Sequence, residues 1–241
     1  YEAHTYQIGI NYYLKKNHKN ITTLGYIHSA LPPLPTEYFY RKGSPDKLLT
    51  HGAGQKKILV DLLKWQKKKV ININTLRYKN NLKKLDRNCI YLPYFIENER
   101  LIIKEFEYLL LNKSLKINPN NLYVKNHPAM SKSKSHINLV NNINKIINEI
   151  NKLNSITHSR VSNPIVIGAT AIVLELLELN YCVYQISPTP IFDTYSPLIW
   201  KDINIKKINK HIFVYNLKNK NMFINRNSPD KNLSEIMENF T

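Results

Sequence analysis

The feature that most constrains this chain is the alternation of short apolar runs with helical periods. Residues 47–50, 69–73, 89–92, 122–125, 165–167 and 182–186 read as strands. Between them, Ile58, Leu62 and Trp65 (residues 55–65), Leu101, Phe106 and Leu109 (97–111) and Val140, Ile143, Ile147, Ile150 and Leu153 (136–153) recur at helical spacing, and residues 171–179 form a last apolar helix. Strands alternating with helices predict an α/β chain with a Rossmann-like parallel sheet and flanking helices. Ligands are then expected where strand C-termini face helix N-termini.

Outside this pattern, Tyr6, Ile10, Tyr13 and Leu14 predict an amphipathic helix over residues 1–19, and residues 21–27 a strand ending at His28. The stretch SALPPLPTEYFY follows, where Pro32, Pro33 and Pro35 oppose regular structure and suggest a linker. Residues 212–215 suggest one more strand, and 218–241 are polar. The chain starts on Tyr1 with YEAHTYQIGINYYLKK, a helix already under way, so a piece of a longer protein is expected.

A chain of 241 residues with 43% hydrophobic side chains can bury a core. Its 35 Lys and Arg against 17 Asp and Glu give a formal charge of +18, which favours anionic partners: nucleotides, anionic glycans, nucleic acid or the inner face of a membrane. The excess is mostly Lys and travels with Asn and Ile, a bias that an A/T-rich genome produces unaided, so charge does not choose among them. Nucleic acid is disfavoured because the chain has no aromatic RNA-binding motif, no zinc finger and little Arg. Cys89 and Cys182 form no framework and fit a reducing compartment. The most apolar segment, 164–179, is broken by Gly168, Glu175 and Glu178 and is shorter than the roughly 20 residues of a membrane span. No signal peptide opens the chain, and a cytoplasmic location is expected.

Four motifs carry candidate chemistry. Lys125-Asn126-His127-Pro128 ends a strand, so it is either a basic surface turn or the edge of an anion site, where the His127 imidazole donates to a phosphate and Lys125 adds a cation. Gly168-Ala169-Thr170 joins strand to helix; Thr170 as an ordinary N-cap accounts for it in isolation, and free amides with a hydroxyl could also hold phosphate. Glu175 and Glu178 sit on the apolar helix, where a carboxylate needs a partner. Glu175, nearer the helix start, is the better candidate for a ribose hydroxyl, leaving Glu178 solvated or bound to a lysine. Gly52 and Gly54 in His51-Gly-Ala-Gly form a lone G-x-G, most simply a tight turn and more weakly a phosphate contact.

In this order the motifs resemble the C-terminal half of a GT-B glycosyltransferase over about residues 21–186. The relatives in question build bacterial capsule and lipopolysaccharide sugars, including sialyltransferase-like and polysialyltransferase-like enzymes. The resemblance rests on the K-x-H-P segment, on the later hydroxyl-bearing turn, and on Glu175 followed by Asn180 and a strand, Asn180 standing where a glycine is usual. A single Thr170 replaces the paired serines of sialyltransferase-like relatives. Gly25-Tyr-Ile-His28-Ser29 looks like an interlobe segment.

The resemblance implies the end of an N-terminal acceptor lobe with its linker (1–35), a nucleotide-sugar-binding lobe (36–216) and a polar tail (217–241). It implies transfer of a sugar from a nucleotide-activated donor to a surface glycan or glycolipid, with peripheral contact to the inner membrane face. Lys125, His127, Gly168 and Thr170 would hold the leaving phosphate, Glu175 the ribose, and Glu2 beside His28 would deprotonate the acceptor hydroxyl. No D-x-D motif is present, so neither a metal nor another cofactor is expected. The alternatives are a polyol-phosphate transferase of the teichoic-acid type and a non-catalytic basic module that binds nucleic acid.

Overall fold

The structure, a computed structural model, describes residues 1–75, 77–78, 85–115, 117–153, 163–225 and 238. Two sheets organise it. The smaller holds β1 (Leu24–Tyr26), β2 (Lys47–Thr50) and β3 (Val70–Asn72), all parallel, with α1 (Thr5–Asn17) before β1 and α2 (Ala53–Asp61) between β2 and β3. The larger sheet comprises β4 (Cys89–Tyr91), β5 (Tyr123–Lys125), β6 (Ile165–Ile167), β7 (Val183–Ile186), β8 (Ile203–Lys207) and β9 (Ile212–Leu217). Its order is β5-β4-β6-β7-β9-β8: the first four strands are parallel, and β9 and β8 join antiparallel. The expected α/β architecture with a parallel-dominated sheet and flanking helices is therefore present.

A parallel sheet must be covered on both faces, and the two-residue alternation of the strands shows how. Ile90, Ile165, Ile167, Tyr184 and Ile186 point to a core made with α3 (Glu99–Leu111) and α4 (Lys134–Leu153). Cys89, Tyr91, Val166 and Val183 point the other way, to α5 (Ile172–Glu178) and to Ile27, Leu31, Leu48, Leu59 and Trp65 of the smaller lobe. On α4 the buried stripe is Leu139, Ile143, Ile147 and Ile150; on α3 it is Ile102, Phe106, Leu109 and Leu110. Each stripe sits one position away from the spacing read at its N-terminal end, since Val140 and Leu101 are only half-buried while Leu139 and Ile102 are enclosed. Leu153 has no described side chain.

Other expectations change. Helix α1 buries none of its residues fully: Tyr6, Ile10 and Tyr13 are more than half exposed and face outward, while Leu14 is partly covered. The proline passage is a packed strap and not a free linker: Ala30 and Leu31 are buried, the Pro33 carbonyl accepts from Trp200 Nε1 at 3.0 Å, and the Tyr38 carbonyl accepts from Trp65 Nε1 at 2.7 Å. The strands of the smaller sheet end at residue 72 and those of the larger begin at residue 89, and β1, ahead of the proline passage, pairs with β2 after it. Strand β8 carries Asn and Lys at its exposed positions, as an edge strand does, and that polarity hid it in the sequence.

The segment read as a polar tail begins by crossing back to the smaller lobe. Phe223 and Ile224 are buried, Gly54 N donates to the Met222 carbonyl at 2.6 Å, and Asn225 N to the His51 carbonyl at 2.7 Å. The rest of the polar stretch lies outside the described residues apart from Glu238. Glu178, expected to be solvated or bound to a lysine, is not solvated and anchors this return. Buried on α5, its carboxylate accepts from the amides of Phe223 and Asn221 at 2.7 Å and of Ile224 at 3.3 Å. Backbone amides bonded to a carboxylate and left stranded by its removal are costly. Glu178→Ala is expected to lower stability by about 3 kcal/mol, read from urea unfolding. A loss below about 1 kcal/mol would show that the segment is held by other contacts.

Candidate functional site

The strand order places the site. From β4 the chain moves one way to β5, then crosses back over β4 to β6 and on to β7, so the winding reverses between β4 and β6. A crevice opens outside the C-terminal ends of the strands at such a reversal. Lys125 ends β5, the turn 168–171 follows β6, and Pro93 to Phe95 follow β4 between them. Cavities of about 320, 160 and 310 Å³ open along this edge, and the turn 168–171 forms part of the wall of all three.

The first cavity brings together Lys125, His127, Thr170 and Glu175, four residues singled out in the sequence, over an apolar wall that includes Leu92 and Ile172. Lys125 Nζ lies 5.9 Å from the centre of the Tyr91 ring. His127 caps the short turn Pro128–Met130: its Nδ1 accepts from Ala129 N at 3.3 Å, so the neutral ring carries its proton on Nε2. The ring stands edge-on to Tyr94, centroids 5.1 Å apart. Burial, then the neighbouring His136, holds its pKa below the usual histidine value, which keeps it neutral and a one-proton donor at pH 7. His136 is fully buried, and its Nε2 donates to the Pro93 carbonyl at 2.9 Å, tying α4 to the loop after β4. Asn126 also lines the cavity, with a buried Oδ1 that has no hydrogen-bond partner among the described residues.

Glu175 makes no hydrogen bond or ion pair among the described residues. Burial pushes its pKa up to about 7, opposed by the positive charges of Arg77 and Lys125. A buried carboxyl with a raised pKa in a cleft is a candidate for a functional role. Asn180, at the end of the same helix, has φ +66°, the left-handed conformation for which an asparagine can replace glycine.

Thr170 is less of a helix-start anion site than its sequence suggests. Its hydroxyl accepts from Ile172 N at 3.4 Å, and the amides of Val173 and Leu174 are already bonded to the carbonyls of Thr170 and Ala171, so its hydroxyl and the turn preceding the helix are what the cavities meet. Gly168 has φ +67°, and an added Cβ would meet Pro93 at 3.2 Å; this glycine is required by the backbone and by the close approach of the β4 loop.

Glu2 lines the third cavity with Ser29, Glu37 and Thr170. Its carboxylate meets His28 Nδ1 at 3.0 Å and His4 Nε2 at 3.1 Å; burial raises its pKa, but the two histidines outweigh that and hold it below the usual glutamate value. Arg77, which no sequence pattern flagged, donates from Nη1 to the His28 carbonyl and stands 2.8 Å from the same Nδ1. That nitrogen therefore accepts from Arg77 when unprotonated and donates to Glu2 when protonated. Gly52 and Gly54 do not join the site. A Cβ at Gly52 would meet the Met222 carbonyl oxygen at 2.3 Å, and one at Gly54 the Phe223 ring at 2.8 Å, so both glycines serve the close packing of the returning segment and are sealed from ligand. Nearby His51 is fully buried between Tyr26 and Tyr78, its pKa pushed down to about 4 chiefly by burial.

No described helix is long and apolar enough to cross a membrane. Comparisons with protein-family models, with curated proteins and with solved structures returned no match for the chain.

The raised pKa of Glu175 makes a prediction with a definite sign. An unfolded glutamate ionises near 4.5 and the folded one near 7, so the folded state holds the extra proton between those values and stability falls as pH rises through that window. Glu175→Gln is expected to flatten this decline between pH 4.5 and 7 and to raise the melting temperature at pH 7.5. A decline of unchanged slope in thermal unfolding measured across that range would show that another group is responsible.

Proposed function

We propose that the chain carries the donor site of a GT-B-like glycosyltransferase, which moves a sugar from a nucleotide-activated donor to a surface glycan or glycolipid. One observation carries the reading: Lys125, His127, Thr170 and Glu175, from two non-adjacent strand ends, share one cavity of about 320 Å³, within the range of small-ligand sites. One ammonium, an imidazole N–H and a hydroxyl suit a phosphate, Glu175 suits a ribose hydroxyl, and the apolar wall suits the rest of a nucleoside.

In the transfer the acceptor hydroxyl attacks the anomeric carbon as the bond from that carbon to the phosphate oxygen breaks. The bonding pair leaves on the phosphate, where Lys125 and the Nε2–H of His127 stabilise the growing charge. The hydroxyl proton goes to Glu2, which lines the adjoining cavity across Thr170 with His28 behind it. The paired histidines keep Glu2 ionised at neutral pH and orient it, while making it a weaker base than a free carboxylate.

Titration with a panel of CMP, CDP, UDP, GDP and their sugar conjugates, followed by thermal shift and calorimetry, tests this. At least one nucleotide is expected to stabilise the chain, and His127→Ala to weaken that nucleotide about tenfold or more with the fold intact, since a hydrogen bond to a charged group contributes about 1.5–3 kcal/mol. Stabilisation by no nucleotide, joined to salt-dependent binding of RNA, would overturn the enzyme reading; unchanged affinity in His127→Ala would remove His127 from the site.

A further inference from the structure

The cavity of about 160 Å³ between the loop after β4 and the segment after β7 differs in chemistry from its neighbours. Its lining includes Tyr94, Phe95, Glu97, Ala169 and Asp193 and, among the described residues, contains no Lys, Arg or His. Tyr94 and Phe95 form an edge-to-face pair, centroids 4.5 Å apart, and both are well exposed at the rim. Asp193, on the short helix α6 (Pro190–Asp193), is 7% exposed. Its Oδ2 accepts from the Ser187 hydroxyl at 2.9 Å and from Thr189 N at 3.0 Å, whereas its Oδ1 has no hydrogen-bond partner among the described residues. Glu97 stands across the mouth and accepts from the Thr189 hydroxyl at 2.7 Å. Burial and then the charge of Glu97 raise the pKa of Asp193.

With Oδ2 held by Ser187 and Thr189, the other carboxylate oxygen is open to accept from a donor on the occupant, and two carboxylates repel an anionic one. The volume is about half the low end for a whole small ligand, which suits one ring and not a nucleotide. The aromatic rim adds a flat apolar wall against which the C–H face of a ring can lie. Through the turn 168–171 this cavity backs directly onto the proposed phosphate position at Thr170.

We propose that this cavity, where Asp193 and Glu97 face the Tyr94–Phe95 pair, receives the sugar being transferred, and that this sugar is neutral or amino-substituted and not acidic. The inference rests on the donor-site reading and narrows it: hydroxyl or amino groups donate to Asp193 Oδ1 and Glu97, and a sugar carboxylate is turned away by them. Within the resembled enzymes this points away from transfer of an acidic sugar such as a sialic acid.

The test is saturation-transfer NMR on the whole chain with methyl glucoside, methyl glucosaminide and methyl glucuronide, which carry no phosphate. The first two are expected to receive saturation and the glucuronide at least about tenfold less. Phe95→Ala and Glu97→Gln, both changes at exposed rim positions, are expected to remove the signal. Asp193→Asn is expected to narrow the preference against the glucuronide, with near-ultraviolet circular dichroism reporting whether its turn survives. Equal saturation of the glucuronide, no saturation of any glycoside, or signals that persist in both rim variants overturns the proposal. The outcome separates from that of the nucleotide titration: nucleotide binding without a glycoside preference sinks the sugar subsite alone, and glycoside preference without nucleotide binding sinks the donor reading while the sugar subsite stands.

Discussion

The constraint on which the rest depends is the parallel pairing of β4 with β5 on one side and β6 on the other. Parallel neighbours need long crossovers, and each crossover lays a helix on the sheet; α3 and α4 both lie on one face, and the other is covered by α5 and the smaller lobe. It also brings the turns after three strands to one edge. The candidate site is thus a consequence of how the strands wind, and its side chains lie far apart in sequence because the winding reverses there.

The smaller lobe is held against this sheet by polar contacts at its margins as well as by a shared core. The indole of Trp200 donates to the Pro33 carbonyl of the proline strap, which Trp65 fastens from within the smaller lobe, and Glu178 gathers the amides of the returning segment, which then fills the space over Gly52 and Gly54. Helix α5 links these contacts to the cleft, since it carries Glu178 against the returning segment and Glu175, one turn earlier, in the cavity. A carboxylate bonded to three amides and a carboxyl with no described partner, three residues apart, show what the neighbours decide and the residue type does not.

That difference explains what could be read in the sequence. Strand and helix alternation, the strand ends at Lys125 and Ile167, the left-handed Asn180 and the shared edge of Lys125, His127, Thr170 and Glu175 follow from local periodicity and turn chemistry, and they are legible. The division of the sheets depends on which strand pairs with which, and the return of residues 221–225 and the closure of Gly52 and Gly54 depend on contacts between segments about 170 residues apart; no local pattern carries them. Arg77 and Asp193 were missed for the same reason: one follows an edge strand and the other a proline-rich turn, and only the fold sets the first beside His28 and the second at the switch point. The face of α1 is the opposite case, a legible apolar pattern of which Tyr6, Ile10 and Tyr13 stay exposed.

The site also shows how little the chain's overall charge of +18 says about its chemistry. Desolvation acts on both titrating groups of the first cavity in opposite directions: it lowers the pKa of His127 and raises that of Glu175, so each is driven toward its neutral form. The fixed positive charge in that cavity is Lys125, with Arg77 acting on Glu175 from the side of His28, and the adjoining cavity past Ala169 is acidic. A ligand spanning the two must therefore carry its negative charge near Thr170 and none beyond the turn 168–171. The lysine-rich sequence can attract such a ligand, but at the strand ends it would meet positive charge at one end only.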